Sequence, residues 1–423
     1  MARIGISKKL FQGDVTVWII FMLLCCISIV EVFSATSTLV YRQASIFIPI
    51  FRHTSFLIAG FLLILVLTHT HYRFFTLGIL LMLFSATLLV LTMRYGISEN
   101  EATRWFNLFG TPLQPSEFGK LACLIYVAFL LSMRERITNK RTINYISIGV
   151  GLICLLILPF NLSTALILGT VCFLMMFIGL IPPKQLGILL FKLFVLGFAL
   201  VMLLWVIPTE AKSQVIPRYA TWENRMLTFF GINQTSNDTE NANDSYQITD
   251  ENYQITHAKI AIAQGGIIGK GPGQSTQRDF LPQAFSDFIY AIIIEETGVV
   301  GGILVLVLYL MLLIRVIVIA QRCEKQFPKY LTLGCGLLIV FQALVHMAVS
   351  VGLFPVTGQP LPLISRGGTS ILITSAYIGI ILSVSHFGAN MTEEDEGDED
   401  EAEEEEVLEE NNQLSTEIVD TET

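Results

Sequence analysis

Charge is what this sequence has little of. Of its 423 residues only 14% are Asp, Glu, Lys or Arg, while 53% are hydrophobic, and its mean hydropathy is +0.64. Soluble domains carry about 25% charged residues, so a water-soluble fold is excluded. Cysteine is scarce where a secreted scaffold would need it. The seven cysteines (Cys25, Cys26, Cys123, Cys154, Cys172, Cys323 and Cys335) all sit in apolar runs or beside a basic loop, which indicates no disulfide framework. C-x-x-C and paired-histidine motifs are missing, so no metal site is readable. The first apolar run, 15–32, lacks a small-residue cleavage site and is long enough to stay as a helix, so no cleavable signal is expected. The alternating apolar and polar residues of a membrane β-barrel are absent as well.

What the chain does have is a succession of apolar runs long enough to cross a bilayer, each needing roughly 20 residues. About ten are readable, near 14–34, 54–70, 74–93, 116–133, 143–158, 161–181, 187–207, 286–320, 330–352 and 368–388. The expected class is an all-α polytopic integral membrane protein. Very short connections make the 54–70/74–93 and 143–158/161–181 pairs read as tight helical hairpins.

Lys and Arg in short loops set the orientation. Arg3, Lys8 and Lys9 precede the first span. Arg134, Arg136, Lys140 and Arg141 follow the fourth, Lys184 the sixth, and Arg322, Lys325 and Lys329 the eighth. Opposite loops carry few bases: Arg42, Arg52, Arg94, Arg104 and Arg366. Both termini are therefore expected in the cytoplasm and the large loop, 208–285, outside. Three regions follow: an N-terminus at 1–13, a transmembrane domain at 14–388 and a tail at 389–423. The tail holds 17 of the 35 acids and no base, which leaves 18 acids against 26 bases in the body, a net charge of about +8. Dense like charge with little to bury predicts a disordered, solvated tail.

Within the large loop, 233–252 reads as a flexible polar spacer. Its N-Q-T, N-D-T and N-D-S triplets would matter as glycosylation acceptors only in a eukaryotic secretory protein. Further on, Gly265, Gly266, Gly269, Gly271 and Gly273 follow a short helical pattern. They suit either a phosphate cradle or a compact re-entrant turn, and both readings stay open. After Leu281-Pro282 comes Asp287, at the mouth of an apolar helix carrying Glu295 and Glu296. Ionisable residues at membrane depth are functional candidates by default; Asp287 as a plain helix cap is the alternative.

A second polar cluster, EATRWFNLFGTPLQPSEFGK, lies between the third and fourth spans. Pro115 and Ser116 read as a helix start, with Ser116 as the cap. Glu117 and Lys120 either pair at i, i+3 or line a cavity with Arg104. A third cluster, GLFPVTGQPLPLISRGGTS, is a rigid non-helical crossing that ends at Arg366. Such backbone survives at membrane depth only where protein or a water-filled cavity shields it. Three clusters on one side imply one outward-facing cavity.

Three motifs in this order, RW then QPSEFGK at 104–120, the glycine run then LPQAFSDFIYAIIIEETG at 265–298, and PVTGQPLPLISRGGTS at 355–370, resemble the SEDS family of bacterial cell-wall polymerases, which includes FtsW, RodA and SpoVE. The resemblance extends to about residue 388, and the wording of the third motif is closer to FtsW than to RodA. It departs from the family at Asn161, in LPFNLST, where an acid is common; at Gln283, also usually an acid; and at Arg366, usually Tyr.

The resemblance implies an inverting peptidoglycan glycosyltransferase that polymerises lipid II in the cytoplasmic membrane, in division or shape synthesis, beside a class B penicillin-binding protein. It implies Asp287 as general base, Arg104 and Lys120 as diphosphate contacts, and Glu117 and Asp279 as supporting acids. Arg366 is a candidate anion contact. No cofactor is required, although a divalent cation would be compatible. Broken helices and buried charges also suit a flippase for the lipid-linked precursor, and a non-catalytic division scaffold is the third reading. Polymerisation predicts glycan product, flipping predicts lipid movement without polymer, and scaffolding predicts neither.

Overall fold

The computed structural model describes residues 11–35, 47–99, 102–108, 111–206, 219–230, 252–281 and 284–388. The expectations for the spacer up to 251, Gln283 and the acidic tail fall outside them. In chain order come α1 (Val15–Ala35), α2 (Phe47–Thr68), a 3-10 segment (Tyr72–Ile79), α3 (Leu80–Tyr95), three short strands β1 (Ile97–Glu99), β2 (Ala102–Leu108) and β3 (Thr111–Leu113), then α4 (Pro115–Ser132), α5 (Asn139–Ile157), α6 (Leu162–Ile178), α7 (Pro183–Val206), α8 (Tyr219–Phe230), α9 (Tyr253–Gly265), α10 (Ile289–Gln321) and α11 (Gln326–Ser350). A final helix, α12, spans Gly368–Gly388.

Nine helical stretches among the described residues are long and apolar enough to cross a membrane, and the 17-residue α6 is a shorter tenth. These are the ten expected spans. A helix satisfies its own backbone polar groups, which is why apolar runs in this solvent become helices. The nearly all-helical expectation holds, with one addition. The stretch 97–113 folds as an antiparallel three-stranded meander in the order β1-β2-β3, with Phe106 opposite Leu113.

Burial separates inner helices from outer ones. Within their spans, 78% of α4 is buried, against 12% of α7, whose Phe191, Phe194 and Leu196 are exposed. α11 packs on α10, α4 and α6. Gly336 lets it approach closely, because a Cβ there would lie 2.5 Å from Val316 Cγ1.

The α5/α6 hairpin forms as expected. The other expected hairpin does not. The 3-10 segment after α2 turns the chain onto α4, so α3 packs chiefly on α4 while α2 leans on α1. Gly78 marks that approach, with a Cβ there 2.4 Å from Ile125 Cδ1.

α10 is broken at Gly298, whose φ of +73° and ψ of −176° suit only glycine. The glycine-rich loop docks into this break. Lys270 N and Gly271 N donate to the carbonyls of Glu295 and Glu296 at 3.0 and 2.8 Å, and Val299 N donates to Gly266 O at 3.0 Å. The helix break and the loop thus satisfy each other's free backbone groups.

Candidate functional site

The glycine run and its two acids form a closed structural unit. Glu295 accepts from Lys270 Nζ (2.6 Å), Thr276 N (3.0 Å), Thr276 Oγ1 (2.9 Å), Gln277 N (3.3 Å) and the Ser275 hydroxyl. Glu296 accepts from Gly273 N (2.9 Å), Ser275 N (3.3 Å) and the Ser34 hydroxyl of α1. The loop amides that a phosphate would occupy therefore hold the protein's own carboxylates. This corrects the phosphate-cradle reading in favour of the re-entrant turn, and it makes Glu295 and Glu296 fasteners of the loop.

The second cluster opens α4. Pro115 takes the first helical position and Gln114 the cap, without a side-chain hydrogen bond. Ser116 is therefore not the cap expected: proline lacks an N–H and has φ preset for the first turn, which pushes Ser116 one place inward. Glu117 and Lys120 form an ion pair at 2.8 Å, with side chains 2% and 1% exposed. Lys120 Nζ also donates to Gln342 Oε1 of α11 (3.1 Å), and Gln342 Nε2 donates to Pro360 O (3.1 Å). The pairing alternative is the one observed. Lys120 is enclosed, not displayed at the mouth as a diphosphate contact would be. Gln114, Pro115 and Ser116 do line a small cavity, shared with Thr92, Phe160 and Asn161. Arg104 lies on β2, but its side chain is outside the described residues.

Asn161, in the place of the usual acid, caps α6 by accepting from Thr164 N at 3.3 Å, and its Nδ2 is buried without a partner. Thr164 Oγ1 in turn accepts from Gln359 Nε2 (2.7 Å), in the non-helical strap at 355–361. The Gln359 carbonyl accepts from His346 Nδ1 of α11 at 2.8 Å. The strap is thereby tied to α6 and α11, and through the Lys120–Gln342 hydrogen bond to α4.

Asp287 precedes α10 in a turn. It is not the helix cap: Phe288 holds that position, with no side-chain cap bond. Among the described residues Asp287 accepts one hydrogen bond, from the adjacent Ser286 hydroxyl at 3.0 Å. It is half-buried. Its charge acts on His346 and on Arg225 of α8. Arg225 donates to Val356 O of the strap (2.9 Å). Burial lowers the Arg225 pKa from its usual range, and the Asp287 carboxylate opposes that shift.

The turn before Asp287 is pinned to the third cluster. Ser365 Oγ donates to Ser286 O at 2.7 Å, and Arg366 N donates to Phe285 O at 3.0 Å. The Arg366 guanidinium lies over the Phe285 ring, 5.1 Å from its centroid. Burial, and then the neighbouring Arg52 charge, hold its pKa below the usual range.

The structure therefore brings Asp287 and Arg366 together, with the Glu117–Lys120 pair joined through Gln342. Asp279 is not in this set: its carboxylate is 54% exposed and, among the described residues, pairs with Arg278 at 3.8 Å. Sequence reasoning missed Arg225, His346, Gln342 and Gln359. His346 and Gln342 carried a readable signal, being polar residues at membrane depth in an apolar helix. Arg225 was hidden among the polar text of the large loop. No group of three or more His, Cys, Asp or Glu side chains placed to hold a metal occurs among the described residues.

A bundle of membrane-length helices holding a half-buried carboxylate between cationic and imidazole groups defines a polytopic membrane protein with the parts of an acid–base site. The chain belongs to the cell cycle protein family of FtsW, RodA and SpoVE, whose family model matches residues 14–390. It is similar to the probable peptidoglycan glycosyltransferase FtsW of Geobacter metallireducens, 29% identical over 387 residues covering 89% of this chain and 96% of that one. The counterpart from Haemophilus influenzae is 32% identical over 311 residues, 72% of each chain. That from Bacillus subtilis is 28% identical over 399 residues, 90% and 93% of the two chains. Among solved structures the fold matches a chain of a peptidoglycan synthase complex, with a TM-score of 0.66 and 22% identity over 89% of this chain and 98% of that one. It also matches Thermus thermophilus rod shape determining protein RodA, with a TM-score of 0.59 and 23% identity over 88% and 96%.

Proposed function

We propose that this chain is a peptidoglycan glycosyltransferase that polymerises lipid II with inversion at the anomeric carbon. The observation that carries the reading is the state of Asp287. Glu295 and Glu296 are surrounded by donors, whereas Asp287 keeps most of its acceptor capacity and lies in a turn pinned to Ser365 and Arg366. A carboxylate saturated by donors is a poor proton acceptor, and one left open is available. Asp287 takes the proton from the acceptor sugar's 4-hydroxyl as that oxygen attacks the anomeric carbon of a second lipid-linked sugar. The carbon–oxygen bond to the diphosphate breaks, and the diphosphate leaves with the electron pair.

Cations at the site stabilise that departing charge. Arg104, Arg225 and Arg366 are the candidates. Lys120 acts indirectly by tying α4 through Gln342 to the strap, with Glu117 as its counter-ion. The exposed apolar faces of the outer helices suit polyprenyl chains. The reading places the site on the outer side of the bacterial cytoplasmic membrane, with both termini inside, since the basic loops lie on the other side. The names of the relatives support the chemistry, and the similarity to a synthase-complex chain supports a class B penicillin-binding transpeptidase as partner.

The test is polymer formation from lipid II by the purified protein with that partner. Asp287→Asn removes a positioned base, worth roughly 10² to 10⁴-fold in rate, and should lower turnover by about that factor while leaving folding and lipid II binding intact. Near-normal polymer from a folded Asp287→Asn protein would remove Asp287 from the mechanism.

A further inference from the structure

The cavity at the start of α4 holds a donor with nothing to donate to. Asn161 is 4% exposed. Its Oδ1 accepts from Thr164 N at 3.3 Å. A backbone N–H can only donate, so it is the oxygen of the Asn161 amide that faces the first turn of α6, and Nδ2 with its two protons is on the other side. Among the described residues that Nδ2 is buried without a hydrogen-bond partner, whereas buried donors are normally satisfied.

Asn161 lines the cavity beside Ser116 and Gln114, whose amide makes no cap bond to α4. Leu89, Ile157 and Phe160 supply an apolar wall. The free space exceeds that of one water and falls far short of a sugar ring. Such a site fits a group of a few atoms, with a hydrogen-bond acceptor on one side and a small apolar end on the other. The fold holds the donor in place. Thr164 Oγ1 accepts from Gln359 Nε2 of the strap at 2.7 Å, and the same strap receives Arg225 at the Val356 carbonyl.

We propose that Asn161 is the donor of an acetamido subsite: Nδ2 donates to the carbonyl oxygen of an N-acetyl group of lipid II, and the methyl of that group lies against Leu89, Ile157 and Phe160. Both amino sugars of lipid II carry such a group. The residue type suits the task. An ionised acid at this position would accept from Thr164 N equally well but would have no proton to offer a carbonyl. The subsite rests on the polymerase reading above for its ligand, and it adds a determinant of which sugars are taken.

The test is binding of lipid II to the full-length protein in lipid nanodiscs, measured by displacement of a fluorescent lipid II. Two analogues are compared with it, each with a hydroxyl in place of the acetamido group on one of the two sugars. Wild type should bind lipid II roughly 10-fold more tightly than one analogue, the scale of a hydrogen bond together with a buried methyl. The analogue that loses affinity identifies the sugar. Asn161→Asp and Asn161→Ser keep an oxygen that can cap α6, and both should erase most of that preference, a change that a purely structural role would not produce. A wild type that binds all three lipids alike overturns the subsite and leaves a cavity that holds water only. A preference that survives in both folded variants overturns it as well, as does a wild type that binds no lipid II. Turnover enters none of these measurements. Discrimination without polymer keeps the subsite and fails the polymerase reading, whereas polymer without discrimination does the reverse.

Discussion

Removing Lys120 alone should be among the most damaging single changes in this chain. Its ammonium and the Glu117 carboxylate are 2.8 Å apart, and both side chains are almost fully enclosed. Lys120→Met leaves a methyl thioether of similar length, so little cavity opens, but Glu117 becomes a buried charge without its counter-ion. Breaking one partner of a buried pair costs about 3–5 kcal/mol, whereas replacing both by neutral groups of similar volume is often neutral or better. We expect Lys120→Met and Glu117→Gln each to destabilise by about that amount, and Glu117→Gln/Lys120→Met to fall within about 1 kcal/mol of wild type. The coupling across the cycle should then be about 5 kcal/mol or more, above the usual range for contacting residues. The measurement is equilibrium unfolding of all four proteins in one detergent, followed by tryptophan fluorescence. Additive costs, or a Lys120→Met protein as stable as wild type, would refute the argument. The double variant should fold yet polymerise poorly, because the Lys120–Gln342 link that leads to Pro360 is lost as well.

Gly298→Ala should destabilise by about 1–3 kcal/mol from backbone strain alone and by more from contact, since its Cβ would lie 2.1 Å from Ile267 O; a thermal midpoint equal to wild type would show that the break in α10 does not require glycine. Single cysteines at Asn243 and Asn139, in a cysteine-free background, should differ towards an impermeant thiol reagent: Asn243→Cys labels in intact cells and Asn139→Cys only after lysis, while equal labelling in intact cells would refute the proposed orientation. Deletion of 393–423 should leave polymerisation by the purified protein nearly unchanged, because the tail's charge is concentrated beyond the helices that carry the site; a folded but inactive truncation would tie the tail to turnover.

The helices were readable because burial in lipid imposes one rule along the whole chain. Apolar runs of the right length became spans almost wherever they occurred, and even α6, at 17 residues, followed it. The errors came where two local rules competed. Ser116 is a good cap by type, yet Pro115 beside it settles the first turn. A short link predicted a hairpin after α2, yet the 3-10 segment redirected the chain. Packing partners such as the Gln342–Lys120 and Gln359–Thr164 hydrogen bonds join residues 222 and 195 positions apart, and no periodicity reports such pairs.

The acids show best what sequence alone withholds. Asp287, Glu295 and Glu296 share one short segment, and membrane cost singles out all three equally. Their hydrogen bonds separate them. Glu295 and Glu296 sit among amides, hydroxyls and an ammonium that were supplied by a loop written some twenty residues earlier, so their charge is spent on holding that loop against the break at Gly298. Asp287 has one neighbouring hydroxyl, and Arg225 and His346 within electrostatic reach, both hung from a strap that lies roughly seventy residues further on. The glycines that suggested a phosphate site therefore serve stability, and of these three acids Asp287 has the fewest partners, which is the ground on which we propose it as the base. Under the proposed reading, which of these three carboxylates stays open to a proton is decided by contacts far away in the chain.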